Sequence, residues 1–268
     1  MVVLRGVGRM VDGLTQMPGL RQLLYEVRFR RNLRENLYRG VYASFDAAAA
    51  AAPANEPLGY DTAAAAGMYR DRMKVVFPTD YPVLFWLQQL FAKGCTQLFE
   101  LGGHVGVSYY AYQTVMSYPD TLRWVVSDVP AVMERGAALA KNQDELGKLS
   151  FEGDFSKAAQ ADVFLAMGVL QYLPETLAER LASLERKPRH LLLNLTPLHP
   201  ERAYFTLQSN GTAFCPYRIE QMSAFLDSLK ALGYTVRDTW INPDKTCKIH
   251  FHPKLSLDRY YGFYLRHN

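Results

Sequence analysis

The chain has 268 residues, 49% of them hydrophobic and 21% charged, with a net charge of +4, enough for one large domain with a generous core or one domain plus a helical appendage. So mild a charge argues against a nucleic-acid binder, which concentrates basic groups on one surface, and no apolar run reaches the roughly 18–20 residues of a membrane span. Cys95, Cys215 and Cys247 form no Cys-x-x-Cys pair, so neither a zinc site nor a disulfide framework is expected, and the reducing cytoplasm is the expected compartment.

The N-terminal MVVLRGVGRMVDGL is broken by charge and glycine before a signal-type apolar region can form. Eight arginines against Asp12, Glu26 and Glu35 give the first 40 residues a basic bias. Over residues 19–38, Leu20, Leu23, Leu24 and Val27 recur at helical spacing with arginines between them, which predicts an amphipathic helix with a buried apolar face and a solvated basic one. The alanine-rich stretch that follows reads as a short helix capped by Ser44, a turn at Pro53–Gly59 and a second helix from about Thr62. A further helix is predicted over Tyr81–Lys93. The first 95 residues thus read as a helical segment without a strand, suited to a lid or a homodimer interface, and residues 96–268 as the main domain.

After Lys93 short apolar runs alternate with helical stretches. Strands are predicted at Gln97–Leu101, Trp124–Ser127, around Leu149–Glu152, at Val163–Ala166, Leu191–Leu195 and Tyr234–Ile241. Helices are predicted at Val107–Ser117, Ala131–Gly147, Thr176–Lys187 and Ile219–Leu232. Such alternation implies right-handed βαβ crossovers and a doubly wound, mostly parallel α/β sheet. The stretch from Asn194 to Arg218 reads as a long polar and aromatic loop in the place of a substrate cap. KIHFHP and RYYGFYLR alternate like antiparallel edge strands.

The first predicted strand ends in Gly102-Gly103, with Gly106 three residues on. Glycine here supplies unusual backbone angles and lets a ligand approach the main chain, although such a cluster is also what a plain tight turn needs. In an open α/β sheet ligands bind beyond the carboxyl ends of the strands. Glu100 stands at the end of the first strand and Asp128 at the end of the second, where a carboxylate can accept both hydroxyls of a ribose. After the third strand, Asp154 is placed to accept from an adenine amino group and Phe155 to stack on the ring. A dinucleotide site would read Gly-x-Gly-x-x-Gly to bind pyrophosphate, and this loop lacks that first Gly-x-Gly.

FELGGHVG, WVVSDVP and GDF resemble, in that order, the first three motifs of class I S-adenosylmethionine (SAM)-dependent methyltransferases, and are similar in particular to those of plant-type O-methyltransferases. GVYASFDAA, LGYD, VSYY, NLTPLH, TLQSNG and PYR are similar to a little-characterised bacterial methyltransferase family over most of residues 38–241. The resemblance implies SAM as a substrate without a metal, a class I methyltransferase (Rossmann-like) fold, and transfer to a small-molecule acceptor in specialised metabolism, with neither nucleic acid nor membrane as partner. It implies a cofactor site of Glu100, Gly102, Gly103, Gly106, Asp128, Asp154 and Phe155, with Met167 and Gly168 lining the methionine end.

Two departures from the family pattern matter for the chemistry. His104 replaces the motif's middle glycine: either Gly103 absorbs the backbone geometry and the imidazole faces solvent, or His104, with an ordinary pKa of ~6.5, takes a proton from the nucleophile. Gln171 stands where the plant-type enzymes carry their histidine base, and glutamine cannot serve as one. Asn194, Tyr204, Gln208 and Tyr217 are the further candidates for contacting a reacting group, and Tyr69, Tyr109, Tyr110 and Tyr172 for facing a sulfonium. The missing base leaves two alternatives open: a SAM cyclase that makes azetidine-2-carboxylate and methylthioadenosine, and a SAM-binding protein without activity.

Overall fold

The computed structural model describes residues 18–61 and 70–268; the helix predicted from Thr62, and Tyr69, fall outside them. In chain order the elements are α1 (Pro18–Arg30), β1 (Leu37–Tyr42), α2 (Phe45–Ala50), α3 (Tyr81–Phe91), β2 (Gln97–Leu101), α4 (Val107–Gln113), β3 (Arg123–Ser127), α5 (Pro130–Gln143), β4 (Leu149–Phe151), β5 (Val163–Met167), α6 (Leu177–Ala182), β6 (His190–Thr196), β7 (Leu198–His199), β8 (Tyr204–Ser209), β9 (Phe214–Gln221), α7 (Met222–Ala231), β10 (Tyr234–Asn242) and β11 (Tyr260–His267).

Seven strands form the main sheet in the order β10-β11-β6-β5-β2-β3-β4. The five from β4 to β6 run parallel, while β11 is antiparallel to β6 and β10 to β11. Chain order therefore reverses between β2 and β5, the switch point at which such sheets bind ligands. The expected doubly wound sheet is present, with class I methyltransferase-like architecture.

Both faces are covered, and the period of two sorts the side chains between them. Leu98, Val163, Leu165 and Leu192 pack on one face with α3, α4 and Trp124. Phe99, Leu101, Phe164, Ala166, Leu191 and Leu193 pack on the other with α6 and α7. Glu100 follows the same alternation and so points into the first core.

The second sheet has the order β1-β8-β9-β7, and several expectations are corrected around it. The helix predicted over 19–38 stops at Arg30, because Asn32 Oδ1 accepts from the backbone N–H groups of Arg34 and Glu35 and turns the chain. Leu37–Tyr42 then pairs antiparallel with β8, so the segment before residue 95 does contain a strand, and that strand joins an element beyond it. The face that α1 buries is Tyr25 and Phe29, whereas Leu23, Leu24 and Val27 are exposed. The long loop expected after β6 is largely the hairpin β8–β9, turned at Asn210-Gly211 with Gly211 at φ 90°. Its second strand takes residues 219–221 from the predicted helix.

At the C-terminus β11 lies inside the main sheet rather than at its edge. His250 and His252 sit in a turn, not a strand, with Phe251 at φ 67° and the His250 ring stacked on Tyr25 at 3.8 Å. Among the described residues no helix is long and apolar enough to cross a membrane, and no three of His, Cys, Asp and Glu form a cluster able to hold a metal ion.

Candidate functional site

One cavity of about 590 Å³ opens at the carboxyl ends of the parallel strands. Leu101–His104 after β2, Ser127–Val129 after β3, Gly153 after β4 and Met167–Val169 after β5 form one wall. The other wall comes from the second sheet and its neighbours: Tyr38, Tyr60, Tyr172, Gln208, Tyr217 and Tyr260. The volume lies within the ~300–1,000 Å³ of small-molecule sites.

The glycine turn is packed from below. Gly102 has φ 73°, and a Cβ there would lie 2.4 Å from Val169 Cβ, so a side chain is excluded both by backbone geometry and by space. At Gly103 a Cβ would meet the Glu100 carboxyl at 2.7 Å. Gly106, at φ 90°, opens α4, and a Cβ would run into Leu149; it does not line the cavity.

The positive angle expected to fall on Gly103 falls instead on His104, at φ 55°. Histidine in this region is uncommon and carries a conformational cost. Its backbone N–H donates to Asp128 Oδ2 at 2.9 Å, while Val129 N–H donates to Oδ1 at 2.7 Å. The left-handed turn thus aims an amide at the acid that ends β3. The ring is half-buried and lines the cavity, which differs from a solvent-facing imidazole. Burial raises the pKa of Asp128, and the two amides oppose the shift.

Glu100 is nearly fully buried, at 1% exposure, and serves the loop from beneath. Its oxygens accept from Ser108 Oγ and Trp124 Nε1, each at 2.7 Å. Desolvation pushes its pKa to about 7, against those bonds and with a smaller push from the Asp128 and Asp80 charges. Trp124 has 0% exposure, and a buried indole N–H needs an acceptor.

Met167 and Gly168 line the cavity, with Gly168 at φ 66°. Gln171, in the 3-10 turn Leu170–Tyr172, lines it too. Its Nε2 donates to Gly168 O at 2.6 Å, and its Oε1 is buried with no donor. Tyr217 also reaches the cavity, from β9.

Four other candidates stand away from the lining. Asp154 is exposed and caps its own turn, accepting from Ser156 N at 2.9 Å and Ser156 Oγ at 2.6 Å. Phe155 packs on Phe99 and Phe164 under the Arg180 guanidinium. Asn194 is fully buried with its amide engaged, donating to Thr79 O and accepting from Trp240 and Asn242. The Tyr204 hydroxyl donates to Leu255 O.

Gln208, a candidate from the sequence, lines the cavity from β8; the residues that sequence reasoning did not single out are Asp80, Lys245, Tyr38, Tyr60 and Tyr260. Asp80 accepts from Phe77 N–H at 2.8 Å and has its pKa raised by burial, and Lys245 has its own lowered by burial. For the hairpin that carries Gln208 and Tyr217 a signal existed: Asn-Gly between two alternating runs is the strongest short-range hairpin sign.

No family model matches the chain, and no curated protein matches it. Among solved structures, it is similar to magnesium protoporphyrin IX methyltransferase from Synechocystis PCC 6803, with bound S-adenosylhomocysteine (SAH), at 14% identity over 71% of this chain and 82% of that one, TM-score 0.47. It is similar to 1,6-didemethyltoxoflavin-N1-methyltransferase of Burkholderia thailandensis at 15% identity, covering 72% and 92%, TM-score 0.43. A protein of Pyrococcus horikoshii OT3 matches at 13% identity, covering 78% and 95%, TM-score 0.48. Likeness at this level concerns the fold alone.

Proposed function

We propose that the chain binds SAM at the glycine turn and transfers its methyl group to a small-molecule nucleophile. The observation that carries this reading is the meeting of a side-chain-free cradle, Gly102-Gly103, with the carboxylate of Asp128 in one cavity at the switch point. An acid beside the turn suits ribose hydroxyls and opposes a pyrophosphate, whose charge it would repel.

Asp128 would hold the ribose, Val129, Val132 and Gly153 the adenine, and the backbone of Gly102, Met167 and Gly168 the methionine end. When bound, SAM supplies an electrophilic sulfonium methyl. The protein's part is to orient the nucleophile, exclude water and receive one proton. Gln171 can orient the nucleophile but cannot take its proton. His104 and Asp80, both lining the cavity and outside the set assigned to the cofactor and its turn, are the groups proposed to accept it.

A second reading, intramolecular displacement within SAM to give azetidine-2-carboxylate and methylthioadenosine, is favoured by one observation: the tyrosine wall that encloses the cavity beside Met167–Gly168. Incubation of the purified protein with SAM alone, followed by mass spectrometry, separates the two. A methyltransferase without its acceptor leaves SAM largely unconsumed; rapid methylthioadenosine formation overturns the first reading. Failure of SAH to bind in calorimetry removes both.

A further inference from the structure

The tyrosine wall has a hydrogen-bond inventory that does not close, and what is left over describes a ligand. Tyr172 Oη donates to Gln208 Oε1 at 2.9 Å, and Gln208 Nε2 donates to Asn36 Oδ1 at 3.0 Å and to Tyr38 Oη at 3.4 Å. From there the contacts run Tyr38 to Tyr260 at 3.5 Å and Tyr260 to Tyr217 at 2.8 Å. Three hydroxyls bring three protons to these two contacts, so whichever way the bonds point, one proton has no acceptor within hydrogen-bond distance among the described residues. All three hydroxyls belong to residues that line the cavity. The same cavity holds the opposite surplus. Gln171, at 5% exposure, spends its Nε2 on Gly168 O and leaves Oε1 buried without a donor. A buried acceptor without a partner is destabilising, and a ligand donor would relieve that cost.

Charge narrows the class further. This part of the wall is made of Tyr38, Gln171, Tyr172, Gln208, Tyr217 and Tyr260, with no carboxylate or ammonium among them. Burial pushes the Tyr38 hydroxyl up to about 12 and raises Tyr172, Tyr217 and Tyr260 well above the ordinary phenol value, so all four stay neutral. A charged ligand group placed there would lose its hydration without a counter-charge. Tyr217 stands edge-to-face with both Tyr38 and Tyr172, ring centroids 5.2 and 5.3 Å apart, which suits a flat ring.

We infer that this wall is the subsite for the second substrate, and that it takes a small uncharged ring compound whose polar head both donates and accepts a hydrogen bond: it donates to Gln171 Oε1 and accepts the spare tyrosine proton. The inference rests on the SAM reading and adds the chemistry of the acceptor. Gln171 and Tyr217 act here as positioning groups, since neither takes the proton of the nucleophile.

The test is ligand-observed NMR on the full chain saturated with SAH, using one ring with different heads. The probes are p-cresol and p-toluidine (neutral, donor and acceptor), 4-methylanisole (neutral, no donor), benzoate (anionic) and trimethylphenylammonium (cationic). The neutral donor-bearing probes are expected to bind best. Their affinity should fall about tenfold in Gln171→Met and in the triple variant Tyr38→Phe, Tyr217→Phe, Tyr260→Phe, the loss typical of one hydrogen bond, while the weaker affinity of 4-methylanisole stays unchanged in Gln171→Met. All three hydroxyls are removed together because any single deletion leaves a spare proton; SAH affinity serves as the folding check for each variant, and Gln171→Met alone decides the test should the triple variant misfold. Tighter binding of benzoate or trimethylphenylammonium, or binding of p-cresol and p-toluidine insensitive to these variants, overturns the inference and leaves the SAM reading standing. So does absence of neutral-probe binding to the SAH-loaded protein. Failure of SAH itself to bind overturns the SAM reading, and the acceptor subsite with it.

Discussion

The two walls of the cavity are built in opposite ways. The glycine wall is local: Glu100, Gly102, Gly103 and His104 are neighbours in sequence, and the chain passes from strand to turn to helix over them. The tyrosine wall is assembled from β1, the turn after β5, the hairpin β8–β9 and the start of β11, with residues from Tyr38 to Tyr260. The first wall is braced by a carboxyl group buried beneath it, the second by neutral hydroxyls bonded to one another. The contrast teaches which steps each wall can serve. A rigid turn with an acid beside it recognises a fixed ligand, whereas a neutral, aromatic, long-range enclosure discriminates among acceptors.

Breaking each wall at its glycine tests that division most severely. Gly102→Ala forces a side chain into a left-handed turn and against Val169; Gly211→Ala does the same at φ 90°, with its Cβ 2.4 Å from the backbone of Leu33. Each is expected to cost about 3–4 kcal/mol in urea unfolding, combining the left-handed penalty with overpacking. Their ligand effects should differ. Gly102→Ala should abolish SAH binding in calorimetry, while Gly211→Ala, if it folds, should keep SAH affinity and lose the neutral ring probes. Equal loss of SAH in both would mean that the walls are not separable.

A pH experiment probes the buried brace of the glycine wall. Glu100 is raised to about 7 by burial, so the folded state holds its proton more tightly than the unfolded chain, where the ordinary value is near 4.5. Its contribution to stability is therefore fully present below pH 4.5 and is lost as pH rises through about 7, by roughly 3 kcal/mol at most. Glu100→Gln should flatten that part of the stability profile. The amide can donate to Ser108 while its oxygen still accepts from Trp124. An unchanged slope between pH 4.5 and 7 in the variant would show that Glu100 is not the group responsible.

Removing the acid above the turn should have a smaller effect, read in binding. Asp128→Ala is expected to weaken SAH by about 1.5–3 kcal/mol in calorimetry, the range for hydrogen bonds to a charged group. Unchanged affinity would take Asp128 out of the site and sink the ribose assignment.

How much was legible follows the same division. Strand Gln97–Leu101 was readable to the residue because it is a fully buried central strand that ends in glycine. The pairing of Leu37–Tyr42 with a strand 170 residues away has no local signature, and arginines on both sides of Arg30 continued the helical pattern past its true end. The hairpin at Asn210-Gly211 was legible in principle; the aromatic and polar mix around it suggested a loop. Placement of Gln171 in the cavity followed from its position after β5, but its unsatisfied oxygen depends on the Gly168 carbonyl and is a property of three dimensions only.

His104 is the residue where the walls' division is least settled by position, and its substitution carries the smallest expected effect on the fold. At φ 55° a histidine pays the left-handed penalty of about 1–2 kcal/mol that glycine would not. Glycine also has a more flexible unfolded chain, which offsets part of the gain, so His104→Gly should change stability by no more than about 1 kcal/mol. The backbone N–H that donates to Asp128 is kept, so SAH affinity should hold as well. What then remains is the imidazole itself. If His104 receives the nucleophile's proton, kcat should fall by ~10²–10⁴-fold, and the limb of the pH–rate profile near neutrality should disappear with it. If that limb survives in His104→Gly with kcat nearly intact, the proton goes elsewhere, and Asp80, a carboxylate lining the cavity that the cofactor assignment leaves free, becomes the group to replace next.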